Sequence, residues 1–364
     1  MKTINLKQWM IVFLSFAIFF SSCDDDEVKP VDETQSIGPY AEGAFITNEG
    51  GFGAGNGSVS FYSYEQDTLL NNIFNKVNDR VLGDVVQSIT IQDTVAYIVV
   101  NASNKIEIAS ANTFIEMGVI NDVANPRYFV ALDNNKGYVS QWGEDGAIKV
   151  IDLESQAITK TIAVGAGAEK MFIYNKMLYV ANSGGYGNNN TVSVIDTETD
   201  AVVKAITLDG DSPRDFVLDA NNDIWVLCAG YTDWYATPIT ETPSKLLRIN
   251  PTTNEVDETI TISSTLHPTC LEVSENGNNI FYGGGYGVQG IFKMSIDDNS
   301  APSTALIDKS FYGFNINPET GVIFAMEAPS FSSNGTLYRY ETNGTKLGEY
   351  EAGIGPNGAG FKKK

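Results

Sequence analysis

The residues of this chain best suited to chemistry gather in its glycine-rich stretches. NEGGFGAGNGS (Asn48–Ser58), QWGEDGA (Gln141–Ala147), NSGGYGNNNT (Asn182–Thr191), AGYTDWYATPITETPSK (Ala229–Lys245), GGGYGVQG (Gly283–Gly290) and EAPSFSSNGT (Glu327–Thr336) each hold an aromatic ring. In order these are Phe52, Trp142, Tyr186, the trio Tyr231, Trp234 and Tyr235, then Tyr286 and Phe331. Glycine lets the backbone turn sharply and leaves a neighbouring ring unshielded. An aromatic side chain offers a large apolar contact at little entropic cost, with a polar handle in Tyr and Trp. Such rings suit a flat or bulky solute, or they fold back as plugs over their own strands; the sequence leaves both readings open. The Ala229–Lys245 stretch is the strongest candidate, because a hairpin connection normally takes about 2–5 residues.

Arg127 and Arg214 occupy matching positions in NPRYF and SPRDF, with Lys170 and His267 at comparable points. A guanidinium there either grips a ligand carboxylate or phosphate or neutralises carboxylates of the protein itself. Asn182, with Asn188, Asn189 and Asn190, is suited to reading amides or sugar hydroxyls, and equally to shaping a turn.

Other chemistries fit poorly. His267 is the single histidine. It excludes a multi-histidine metal centre, and no GxSxG elbow lies near it to build a Ser–His nucleophile. No pair of carboxylates stands out by position for glycoside hydrolysis. The expectation is a non-catalytic binding protein that requires no cofactor and no metal site, with calcium left open by the acidic composition. The net charge of −22 argues against a nucleic-acid partner. Cys228 and Cys270 lie in strand-like runs and read either as two buried thiols, the preferred reading, or as a disulfide.

The elements that must position these residues form a repeat. NPRYFVALDNNKGYVSQWGEDGAIKVIDLESQAITKTIAV (Asn125–Val164) and AEKMFIYNKMLYVANSGGYGNNNTVSVIDTETDAVVKAITL (Ala168–Leu208) follow one plan. A first strand and a turn lead to a strand ending in YV, then a Gly/Asn loop, a VSVID-like strand, a polar turn and a fourth strand. Period-two alternation marks half-buried strands, and Asp, Asn and Gly mark the turns. A four-stranded blade cannot bury both faces alone, so neighbours must stack. Six units begin near Gly83, Pro126, Ala168, Pro213, Pro268 and Phe311. Ala44–Phe74 lacks a first strand, and IGPNGAGF (Ile354–Phe361) supplies one and nothing more. The predicted fold is all-β: a seven-bladed β-propeller over residues 41–364, closed by the C-terminal strand completing the first blade. Antiparallel strands return alternate loops to one end, so the aromatic loops and the approaches to each first strand should share one face.

YVANSG, VSVIDTETDAVVKAI and SPRDF resemble the YVTN-repeat, YncE-like (DUF5074-type) propeller lipoproteins of Bacteroidetes, over nearly the whole mature chain. The likeness extends to cobalamin-binding propeller lipoproteins that partner TonB-dependent corrinoid transporters in the outer membrane. It implies capture of cobalamin or another corrinoid as ligand and handover to such a transporter. A corrin is broad, partly apolar and fringed with amides, which suits rings and Asn side chains. A glycan-binding surface lipoprotein of a polysaccharide-uptake system is the alternative, with Trp142, Trp234 and Tyr235 stacking on sugars. A structural or adhesive envelope propeller is a third.

The start of the chain carries an address. Lys2 and Lys7 precede WMIVFLSFAIFF (Trp9–Phe20), then Ser21, Ser22 and Cys23. A basic region, a short apolar run and small residues make a signal peptide over residues 1–22, and the run is too short to span a bilayer as a helix. The stretch resembles a bacterial lipobox, with Phe20 where Leu is usual, so Cys23 is the expected lipidation site and membrane anchor. Asp24, Asp25, Asp26 and Glu27 open an acidic tether over residues 23–40 that is too charged to pack. By the same resemblance, that acidic run implies display on the outer face of the outer membrane.

Overall fold

The computed structural model describes residues 38–143 and 145–362. The signal peptide, Cys23 and nearly all of the acidic tether lie outside the described residues. The described residues belong to one compact body, Ile37–Lys364. Tyr40, at the expected end of the tether, is already part of the packed body: its ring meets Phe61 and Phe114, and its N–H donates to the Asn112 carbonyl.

The body is nearly all β and forms a seven-bladed propeller. From the second blade onward, the innermost strands are Val86–Gln92, Pro126–Ala131, Ala168–Tyr174, Pro213–Leu218, Cys270–Val273 and Gly313–Ile316. Each starts a sheet of four antiparallel strands that runs outward in chain order. The first blade differs, as its sequence predicts. Its outer three strands are Gly43–Asn48, Ser58–Ser63 and Thr68–Leu70, and its innermost strand is the C-terminal Pro356–Phe361. Ala44 pairs with Phe361 and Ile46 with Ala359. The two chain ends therefore close the ring within one sheet and leave no blade with a bare inner edge.

Seven apolar clusters glue the ring, one at each junction between blades. Period-two alternation assigns them: Phe45 faces the second blade with Val86 and Ile98, while its neighbours Ala44 and Ile46 face the seventh with Phe324 and Met326. The YV motif has a further role. Tyr138 Oη donates to Asp200 of the next blade at 2.7 Å, and Tyr179 Oη donates to Asn254 at 2.8 Å. Both acceptors sit in third-to-fourth-strand turns with positive φ. Apolar burial drives the stacking, and these bonds fix how one blade sits on the next.

Candidate functional site

The topology places every second-to-third-strand loop, and every approach to an innermost strand, at one end of the ring. The six aromatic loops therefore share one face. Phe52, Tyr186, Trp234, Tyr235 and Tyr286 stand between 71% and 97% exposed there. Rings so open to water are not plugs.

Three candidate rings behave otherwise. Trp142 lies over the Arg127 guanidinium, 4.2 Å from ring centre to guanidinium carbon, and Tyr186 meets it edge-on at 5.2 Å. Phe331 packs edge-on against Tyr312 at 5.4 Å. Tyr231 is half-buried at the base of the long loop. That loop forms a small ribbon, Thr232–Asp233 paired with Thr240–Glu241, which carries Trp234 and Tyr235 at its tip. His267 pins its base: Nδ1 is 2.7 Å from the Ala229 carbonyl, and Nε2 is 3.3 Å from Thr232 Oγ1. The loop of the fourth blade is held by direct backbone approach. A Cβ on Gly167, where φ is +69°, would stand 1.9 Å from the Gly185 nitrogen.

Asn182 does not reach the face. It is fully buried at the end of its strand, donating from Nδ2 to Thr191 Oγ1 and Ser193 Oγ. Its carboxamide shapes the loop behind Tyr186 and is shut off from any ligand at the rim. Asn48 does the same in the first blade, bonding Ser60 Oγ and accepting the Gly353 N–H.

Below the rings, the innermost strands enclose a central cavity of about 480 Å³. Its upper wall is a polar belt with one side chain from each blade: Asn357, Gln87, Arg127, Glu169, Arg214, Thr269 and Tyr312. In five blades the cause is local. The register of the innermost strand slips at its start, as between Val86 and Ser88 or Pro126 and Phe129. The same slip recurs at Ala168, Pro213 and, through Asn48, at Pro356. A bulge of this kind re-aims one side chain, and here it turns the residue after the strand's first position into the channel.

Charge on the belt is concentrated in the third to fifth blades. Arg127 Nε and Nη2 donate to the two carboxylate oxygens of Glu169 at 3.0 and 3.1 Å, and Arg214 Nη1 donates to the same residue at 2.6 Å. Glu169 is buried beneath both cations. One position further, Lys170 Nζ donates to Asp215 at 2.5 Å, and Asp215 also accepts the N–H groups of Phe216 and Leu271. Burial works against the Lys170 charge, but Asp215 together with Tyr128, Glu272 and Cys270 holds the ammonium above its ordinary pKa. The opposite wall holds one carboxyl group. Glu49 accepts Tyr312 Oη and Asn357 Nδ2, each at 3.1 Å, and burial raises its pKa despite those bonds. Deeper down, burial pushes Glu272 up to about 7 against the pull of Lys170, with Asn315 donating to it. Both cysteines are free, so the thiol reading of Cys228 and Cys270 holds.

Of the sequence-derived candidates, Arg127, Arg214 and Tyr286 line the cavity, and Trp142 covers Arg127. Phe52, Tyr186, Trp234 and Tyr235 stand exposed on the same face, outside the residues that line the cavity. Gln87, Glu169, Glu49, Tyr312 and Asn357 were not singled out by the sequence. Superposing PRYF, AEKMF and PRDF at their first residues would have found Glu169.

The model of a domain of unknown function, DUF5074, matches residues 42–353. No curated protein matches the sequence. Among solved structures, the chain is similar to a quinoprotein alcohol dehydrogenase-like protein from Bacteroides thetaiotaomicron. That likeness has 17% identity and a TM-score of 0.65 over 88% of this chain and 78% of that one. A candidate 6-phosphogluconolactonase from Bacteroides fragilis shares 11% identity at a TM-score of 0.67, covering 89% of this chain and 99% of that one. Hydrazine synthase of Kuenenia stuttgartiensis shares 16% at 0.57, covering 74% and 87%. Identities this low speak for the propeller fold alone.

Proposed function

This chain belongs to the DUF5074 family, and we propose that it is a non-catalytic, lipid-anchored capture protein on the outer face of the outer membrane. Its ligand is a corrinoid such as cobalamin, passed on to a TonB-dependent transporter. The observation that carries the reading is the set of five exposed rings, Phe52, Tyr186, Trp234, Tyr235 and Tyr286, on the one face where the channel opens.

Solvent-exposed rings gathered on one face lose contact with water when a broad apolar ligand covers them, and little side-chain entropy is lost because each ring has few rotamers. The charged groups beneath are bonded largely to one another, which suits a rigid seat better than a site of proton transfer. Cys23 and the acidic run after it support the anchor and the surface address. Trp234 and Tyr235, side by side on a ribbon tip, also suit stacking on sugar rings, so a glycan is the second reading.

Cobalamin absorbs visible light, and titration of the protein into cobalamin followed by its visible bands tests the proposal. A saturable spectral change, absent with a panel of glycans measured by calorimetry, supports corrinoid capture. Heat with the glycans and an unchanged cobalamin spectrum supports the second reading.

A further inference from the structure

We infer that the channel holds a second, separate site, which binds a small monocarboxylate between Arg214 and the far wall of the polar belt. The inference does not depend on what the aromatic rim captures.

The charges on the belt do not cancel. Arg127 and Arg214 share the single carboxylate of Glu169. Lys170 and Asp215 form a pair that sums to zero wherever its proton sits. Glu49 and Glu272 are both drawn toward their neutral forms by burial. On the belt itself two guanidinium groups face one carboxylate, beside a cavity of about 480 Å³.

The two arginines are not equally occupied. Arg127 is bonded through three nitrogens, to Glu169 and to Gln87, and is covered by Trp142. Arg214 makes one bond, from Nη1, and its Nε is buried with no hydrogen-bond partner among the described residues. A guanidinium bonded through one nitrogen keeps donors for a carboxylate, whose planar oxygens match its N–H groups, and 25% of the Arg214 side chain stays open. The next member of the belt, Thr269, adds a hydroxyl, and Tyr286 overhangs it from the rim; both line the same cavity.

The cavity below selects the rest of the ligand. Two residues beyond Gln87, Glu169 and Asn357 along their strands, the wall gains Ile89, Met171 and Ala359, beside the polar Thr90, Lys170 and Asn315. A head that accepts hydrogen bonds at the belt and a short apolar body beneath it describe a carboxylic acid of a few carbons. Inorganic phosphate shares the head chemistry but would leave the lower wall unfilled.

The test is isothermal calorimetry of the soluble propeller with its tether against butyrate, hexanoate and inorganic phosphate. The expected result is saturable binding of butyrate or hexanoate, tighter than phosphate. Arg214→Gln should weaken it by about tenfold or more, the usual worth of a charge-assisted bond. Arg214→Lys, which keeps the charge and loses the planar fork, should recover only part. Trp234→Ala should leave it unchanged, and because Trp234 belongs to the rim, this separates the two sites. Native melting of each variant checks that the ring is intact. Three results overturn the inference: no saturation by either carboxylate, equal binding by folded Arg214→Gln, or a site that takes phosphate and ignores butyrate.

Discussion

The Arg127 guanidinium carbon stands 4.2 Å from the centre of the Trp142 ring. That contact joins the two tiers of the channel mouth. Trp142 belongs to a rim loop, and Arg127 belongs to the belt and is clamped to Glu169 below. Tyr186 then leans edge-on against Trp142. The rim over the third and fourth blades is thus mounted on the belt, so a change in one tier is felt in the other.

Trp142→Ala should therefore lower stability by about 1–3 kcal/mol, through lost packing and a lost cation–π contact. Urea denaturation measures it. The same variant should free Tyr186, seen as faster quenching of tyrosine fluorescence.

Closure of the ring rests on the last strand and on Lys362. The Lys362 ammonium donates to the carbonyls of Tyr40 and Ala41 and to Asn112 Oδ1. Deleting residues 356–364 would expose the inner edge of the first blade, and the product should aggregate or melt without cooperativity. Lys362→Met should retain the fold and lose about 1–3 kcal/mol. Calorimetric melting distinguishes these outcomes.

Glu272 should make stability depend on pH. Its pKa is raised by burial from 4.5 to about 7 in the folded protein. Between those values the folded state binds more protons than the unfolded one, so stability falls as pH rises from about 4.5 through 7. The penalty is complete above that window. Glu272→Gln should flatten this part of the profile, and denaturation series at several pH values will show whether it does.

Tyr138→Phe removes the bond to Asp200 from a buried ring. It should cost about 1 kcal/mol or somewhat more, because the Asp200 carboxylate stays paired with Lys136. Chemical denaturation at neutral pH is sufficient to measure it.

The ring of blades was legible in the sequence because alternation, turn residues and a unit of fixed plan all reflect backbone geometry. The split first blade was legible for the same reason: Ala44–Phe74 and Ile354–Phe361 are incomplete in complementary ways. Part of the site was legible too. Arg127 and Arg214 stand out in matched PRYF and PRDF, and glycine around Tyr186 or Tyr286 leaves a ring little to pack on. Other parts were hidden. Asn182 reads like a loop residue, yet the strand runs through it and its amide turns inward to Ser193. The belt depends on strand-start bulges, which shift register without leaving a residue signature. Glu169, Gln87 and Asn357 therefore looked like ordinary polar residues of half-exposed strands.

The proposed function needs the exposed rings to act as one binding face. The most direct measurement is the visible-band titration of cobalamin with the wild-type propeller and with a Trp234→Ala/Tyr235→Ala variant that melts normally. Corrinoid capture at the rings gives a saturable spectral change with the wild type, weakened by about tenfold or more in the variant. A flat titration with the wild type, or the same binding curve for both proteins, would contradict it.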